Sequence, residues 1–271
     1  MVNNYNISVD PKLRTAAYQA WWEHMPVRLP APENGELAVY RTLDVGGLIQ
    51  LFILDTRQYS DEPPCPGDNG LGTVADCAAR SGKNRTLLGN DQREWLIDGL
   101  KGSTTTWTGL ANPVLFAGLI AGETDEGDPK FFMDTWDGFP AERAAIRTAL
   151  TGVENPVILT GDYHASFVLD VDEPGPTDGG PASSTEGRTI CPEFLVTAIS
   201  SILFSEDYTD LNPQMRYFEA QHGYAVCTAT EERFECEFRY VDDIWDADSP
   251  ITVGPTWAVD AGERVANEVT G

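Results

Sequence analysis

Apolar and polar positions fall in short blocks along this chain, and each block predicts an element. Residues 12–24 are rich in helix formers and close on Pro26, the pattern of a helix with a proline stop. Two strand-like runs follow, Leu37–Leu43 and Leu48–Leu54, split by Val45-Gly46-Gly47, which predicts a hairpin with a longer turn. The second run is almost wholly apolar, as suits a strand buried on both faces, and it ends in the polar cluster Asp55-Thr56-Arg57-Gln58-Tyr59. Asn90 caps a predicted helix over 91–100, and Pro140 opens another over Pro140–Leu150, where its fixed φ and missing N–H suit the first turn. Val114–Ile120, Val157–Thr160, Phe167–Val171 and Phe194–Ile199 predict core strands, and 217–241 predicts an antiparallel ribbon. Residues 172–188, rich in Pro, Gly, Ser and Thr, predict an exposed loop. Buried strands, interposed helices and late hairpins, with neither a repeat nor a long linker, indicate one α/β or α+β mixed layered domain.

Composition narrows what such a domain does. At 271 residues the chain can bury a core without help from disulfides or metals. Forty-three acidic residues against 18 basic ones give a net charge of -25. That balance argues against nucleic-acid binding, which needs a basic face to displace counterions, and disfavours anionic membrane surfaces. No run of about 18 apolar residues occurs, so no transmembrane helix is expected, and residues 1–30 lack a signal-peptide pattern. The acid excess suits either a high-salt surface or an ordinary acidic protein that favours divalent cations. Of the five cysteines, Cys65 and Cys77 bracket a Gly-, Asp- and Pro-rich stretch that reads as a stapled loop. Cys227 and Cys236 lie on successive strand-like runs and could pair if the register allows, which leaves Cys191 over. No CxxC spacing points to structural zinc, and the loop pair hints at an oxidising compartment.

The sharpest chemical signal is Thr160-Gly161-Asp162-Tyr163-His164, which sets a carboxylate and an imidazole two residues apart just past a buried strand. Ligands of open α/β sheets bind at that edge, and a hard cation accepts oxygen and nitrogen donors together. The plain alternative is a surface turn with local hydrogen bonds. Arg57, also at a strand end, has the fork geometry to clamp a phosphate; an ion pair with one of many acids is its structural alternative. Tyr59 and His24 read as packing residues, and His222 carries no definite role.

Several segments in order resemble the PhoD-like alkaline phosphatase/phosphodiesterase family of calcineurin-like metallophosphoesterases. They are Asn3-Asn4-Tyr5, Ala17 through Pro26, Phe52 through Tyr59, Leu88 through Leu96, Trp136 through Arg143, and Thr160 through His164. The tail from Gly223-Tyr224 through Tyr240-Val241-Asp242 has the same look. The resemblance implies a four-layer αββα sandwich and hydrolysis of phosphate monoesters or diesters. It implies metal ions, Ca2+ and Fe3+, on Asp162 and His164, with Asn4 (or Asn3) as a further ligand or its hydrogen-bond partner. It casts Arg57 and His164 as catalytic groups, with Arg57 also binding substrate. In the same reading Trp136 walls the site and Asp137 orients a ligand; a turn with a buried ring is the alternative for that pair. Family members begin with a Gly-Asp element, Gly-Asp-x-x-Tyr and Asp-Asp-His-Glu, whereas this sequence opens at Met1-Val2-Asn3-Asn4. The expectation is therefore the C-terminal portion of one such domain, residues 1–271, with the first part of the fold and of the metal site absent. The partners implied are a phosphate-ester substrate and an N-terminal segment, and the family places the protein in the extracellular space or periplasm. The competing expectation is a catalytically silent remnant that serves as a binding or scaffold module.

Overall fold

Residues 9–33, 36–65, 72–174, 177 and 188–270 are described in this computed structural model. In chain order the elements are α1 (Pro11–His24), β1 (Arg41–Val45), β2 (Ile49–Ile53), β3 (Thr73–Val74), α2 (Asn90–Gly102), β4 (Trp107–Asn112), β5 (Phe131–Phe132) and α3 (Pro140–Leu150). They continue as β6 (Pro156–Thr160), β7 (Ser166–Glu173), β8 (Arg188–Leu195), β9 (Met215–Glu219), β10 (Gly223–Ala229), β11 (Arg233–Val241), β12 (Ile251–Asp260) and β13 (Asn267–Glu268). One mixed sheet runs β1-β2-β4-β6-β8-β7-β9, and a second, antiparallel one runs β10-β11-β12-β13.

The apolar runs β2, β4, β6 and β8 pair in parallel, and burial on both faces explains their composition. One face packs Phe52, Leu110 and Ile158 against Leu96 and Leu100 of α2 and Ile146 and Leu150 of α3. The other packs Ile49, Trp107, Val157 and Phe194 against Phe234, Phe238, Trp257 and Val259 of the second sheet. Along β11 the alternation is strict: Phe234, Cys236, Phe238 and Tyr240 are buried, while Glu235, Glu237 and Arg239 between them are part-exposed. Helices, main sheet and second sheet make an α/β sandwich. The described residues form three of the four expected layers.

Val114–Ile120 is buried yet does not form a strand. Its backbone donors go to side chains: Phe116 and Ala117 donate to Glu193 at 2.9 and 2.7 Å, Leu119 to Asp137 at 3.0 Å, and Ile120 to Asn212 at 2.8 Å. Buried N–H groups need partners, and carboxylates and an amide here replace a neighbouring strand. Other boundaries shift less. The first hairpin strand starts only at Arg41, β8 stops at Leu195, and β9 joins the main sheet instead of the ribbon. Of the expected loop 172–188, residues 172 and 173 extend β7, while 175, 176 and 178–187 lie outside the described residues.

Glu193 has no solvent exposure, and burial pushes its carboxyl up to about 7 although Thr160, Phe116 and Ala117 donate hydrogen bonds to it. The folded state therefore holds this proton to a higher pH than the unfolded chain, whose glutamate titrates near 4.5. The group's stabilisation is full below that lower value and is lost as pH rises through the folded one. The change is on the order of 3 kcal/mol over the whole window. Urea unfolding between those two pH values should show the wild type losing stability relative to Glu193→Gln. Parallel pH profiles for the two proteins would remove Glu193 as the titrating group.

Cys65 and Cys77 form a disulfide with Cα atoms 6.0 Å apart. Closing a loop over a sequence separation of 12 should stabilise the fold by roughly 3 kcal/mol in the chain-entropy account. Peptide mass mapping of oxidised protein without reductant should recover the linked pair, and the melting temperature should drop on reduction. Two free thiols in oxidised protein would defeat this expectation.

Candidate active site at the carboxyl edge of the main sheet

Parallel pairing brings the C-terminal ends of β2, β4, β6 and β8 to one edge. Strands β6 and β7 are consecutive in the chain, yet β8 lies between them in the sheet. The connection Gly161–Ala165 must therefore cross two strand spacings, about 9–10 Å, over the end of β8. Val196, just past that end, donates to the Thr160 carbonyl at 2.9 Å. The bridge makes the crossing with left-handed backbone at two residues that are not glycine, Asp162 (φ 69) and His164 (φ 64). Such conformations cost on the order of 1–3 kcal/mol each and concentrate at functional sites. Tyr163 between them packs on Phe132, Phe167 and Phe204 and anchors the bridge to the core.

Arg57 reaches the same place from β2. Asp55 accepts from the backbone N–H groups of Arg57 (2.9 Å) and Gln58 (3.0 Å), which fixes the turn after the strand. Gln92 of α2 accepts from Asp55 N–H at 2.8 Å and donates to the Asp55 and Leu88 carbonyls at 2.8 and 2.9 Å. The strand end and the helix start are thereby locked together. The Arg57 guanidinium lies 3.6 Å from the Asp162 carboxylate, across the end of β4. His164 stacks flat on Phe204, with ring centroids 5.2 Å apart and planes at 9°. Its Nδ1 is buried without a hydrogen-bond partner among the described residues, an arrangement that costs about 1–3 kcal/mol unless a ligand satisfies it.

Asp134, which sequence reasoning passed over, belongs to the same neighbourhood. Burial pushes its carboxyl up, the Arg57 charge pulls it down, and Asp162 adds a further upward push. The available signal was a lone acid ending the apolar run Phe131-Phe132-Met133, directly before the Trp136 segment. Beside Arg57, an apolar cavity of ≈ 300 Å³ lies between α1 and the sheet edge, lined among others by Leu13, Ala17, Trp21, Val39 and Leu54. Its cationic lining is Arg14 and Arg57, and Arg14 already lies 3.9 Å from the Glu36 carboxylate.

The donor types at Asp162 and His164 suit a hard cation. Among the described residues, however, no group of three or more His, Cys, Asp or Glu is placed to hold one, and a catalytic ion needs about three protein ligands. By themselves the described residues do not fit a complete metal centre. Asn4, the remaining expected ligand, lies outside the described residues.

The PhoD-like phosphatase family model matches residues 3–238. This chain belongs to the PhoD-like phosphatase family. Alkaline phosphatase D of Bacillus subtilis (strain 168) is 34% identical over 251 residues, which cover 88% of this chain and 40% of that protein. A solved structure of PhoD matches with a TM-score of 0.86 at 29% identity, covering 99% of this chain and 52% of that one. The chain thus spans about half or less of the length of these PhoD-like relatives.

Several residues of the PhoD-like segments hold backbone in place and do not face the site. Trp136 and Asp137, expected to wall the site and to orient a ligand, are instead enclosed, at 0% and 2% exposure. The Trp136 indole donates to Asn112 at 3.2 Å and packs edge-on against Phe116, while Asp137 pairs with the buried Arg143 at 2.8 Å. Neither has surface from which to touch substrate. Glu142 accepts from Thr86 at 2.7 Å and from the N–H groups of Leu87 and Leu88 ahead of α2. Of the other histidines, His222 Nε2 lies 2.7 Å from the Ser201 carbonyl, and His24 ends α1. Tyr59 packs edge-on against Tyr40.

Proposed function

We propose that this chain is the C-terminal portion of a single metal-dependent phosphoesterase domain that hydrolyses phosphate monoesters or diesters. The observation that carries the reading is the convergence of Arg57, Asp162 and His164 on one sheet edge, the last two on a bridge with left-handed backbone at both. Arg57 takes the phosphate, because its planar fork matches two phosphate oxygens at once. A phosphate arriving there displaces Asp162 from the guanidinium and leaves that carboxylate available as a donor. His164 presents an imidazole whose orientation is held by Phe204. The cations of the resemblance, Ca2+ and Fe3+, require donors in addition to Asp162 and His164, with Asn4 a candidate. An extracellular or periplasmic location agrees with the Cys65–Cys77 disulfide. Among the described residues no helix is long and apolar enough to cross a membrane.

The shortage of donors favours a second reading, in which the chain by itself is a catalytically silent binding or scaffold module. Metal content and turnover of p-nitrophenyl phosphate esters separate the two. The chain alone should bind cations weakly and turn over hardly at all. Joined to a segment carrying Gly-Asp-x-x-Tyr and Asp-Asp-His-Glu elements, it should gain both properties. A joined protein that loads metal yet stays inert would favour the scaffold, and full activity of the chain alone would overturn this account of the site.

A further inference from the structure

We propose that Cys227 and Cys236 form a redox-active cross-strand dithiol, which closes to a disulfide on reaction with a disulfide oxidant. The two face each other directly in the register of β10 and β11. Val241 N–H donates to the His222 carbonyl at 2.9 Å and Thr230 N–H to the Arg233 carbonyl at 2.8 Å. Both bonds mark even-numbered positions of the first strand as hydrogen-bonded pairs, so Cys227, an odd one, sits in a non-hydrogen-bonded pair. The far side of β11 agrees. Ala261 N–H donates to the Glu232 carbonyl at 2.8 Å, and steps of two carry that parity to Cys236, whose amide therefore faces β12. In non-hydrogen-bonded antiparallel pairs the Cα atoms stand about 4.5 Å apart, within the span of roughly 4.4–6.8 Å that a disulfide tolerates. The thiols perturb each other's ionisation, as neighbours across the strand pair would.

The pair divides the labour of thiol–disulfide exchange. β10 is the edge of the second sheet, which leaves Cys227 exposed, whereas Cys236 is buried. Their mutual interaction lowers the Cys227 thiol and, with burial, raises that of Cys236, so the exposed Cys227 supplies the attacking thiolate. It attacks one sulfur of the oxidant's disulfide, forms a mixed disulfide and releases the first oxidant thiol. Cys236 then gives up its proton and attacks the Cys227 sulfur, forming the cross-strand bond and releasing the second oxidant thiol. Two protons and two electrons leave the protein, and one oxidant disulfide becomes two thiols. Cys191, buried and unpaired in the main sheet, serves as an internal standard.

The test uses the folded chain and oxidised glutathione, followed by native alkylation and peptide mapping without reductant. Before oxidation Cys227 should alkylate while Cys236 and Cys191 stay protected. After oxidation the Cys227 label should be lost and a Cys227–Cys236 linked peptide, two hydrogens lighter, should appear. The Cys227→Ser variant, altered only at an exposed position, should keep Cys236 as an unreacted thiol until the protein is unfolded. Persistence of a glutathione adduct on Cys227 beside a free Cys236 would overturn the proposal. So would continued alkylation of Cys227 after oxidation, or native reactivity of Cys236 in the variant.

Discussion

Asp137→Ala should destabilise the fold by about 3–5 kcal/mol, the cost typical of stripping one partner from a buried ion pair. Arg143 and Asp137 are 0% and 2% exposed, and their charged groups meet at 2.8 Å. The other bonds of Asp137 matter as much. Its Oδ2 accepts from Leu119 N–H at 3.0 Å and its Oδ1 from the Thr177 hydroxyl at 2.7 Å. Alanine would leave a guanidinium charge, an amide and a hydroxyl buried with fewer partners, each carrying a desolvation penalty. Asp137→Asn keeps the shape but not the charge and should fall between the two. Urea unfolding of the three proteins measures the series. A loss under about 1 kcal/mol for alanine, the range of an ordinary substitution, would mean that the Arg143 network is not what holds the 114–121 segment.

Turnover of the chain joined to the family's upstream elements should fall by about 10²–10⁴-fold in His164→Ala, the usual scale for a positioned group in proton transfer. Stability should move by no more than about 1 kcal/mol. The histidine is only half-buried and sits on a bridge past the strand ends, and removing it also removes the orphaned Nδ1. The separation of the two readouts is the point. Asp137→Ala should lower activity in step with stability, whereas His164→Ala should lower activity alone. Matched phosphate-ester kinetics and unfolding curves decide the case, and an active His164→Ala protein would take the imidazole out of the reaction.

Much of the architecture was legible from local pattern. An almost wholly apolar run such as Leu48–Leu54 has few options besides a strand covered on both faces, and Pro140 at the head of an alternating run admits a helix that starts there. Thr160 through His164 stood out because a polar cluster directly after a buried strand has to lie at the sheet's edge. These inferences need only the burial demanded of each side chain and the conformations open to each backbone unit.

Contacts between distant segments were a different matter. Val114–Ile120 has the composition of a strand, but Glu193, Asp137 and Asn212 supply its hydrogen bonds from far along the chain. Trp136 and Asp137 share a motif with residues near the site, yet packing turns them inward. Whether Cys227 meets Cys236 depends on strand register, because a slip of one residue would send one side chain to the opposite face. Arg57 pairs with Asp162 because only β4 separates the ends of β2 and β6, and the left-handed bridge that carries Asp162 and His164 exists because β8 inserts between two strands that are neighbours in sequence. Sequence alone determined which segments are buried and where polar groups gather, since hydrophobicity and backbone sterics act residue by residue. The tertiary structure decided which of those groups meet, since that depends on the order of strands in the sheet, which no local pattern encodes.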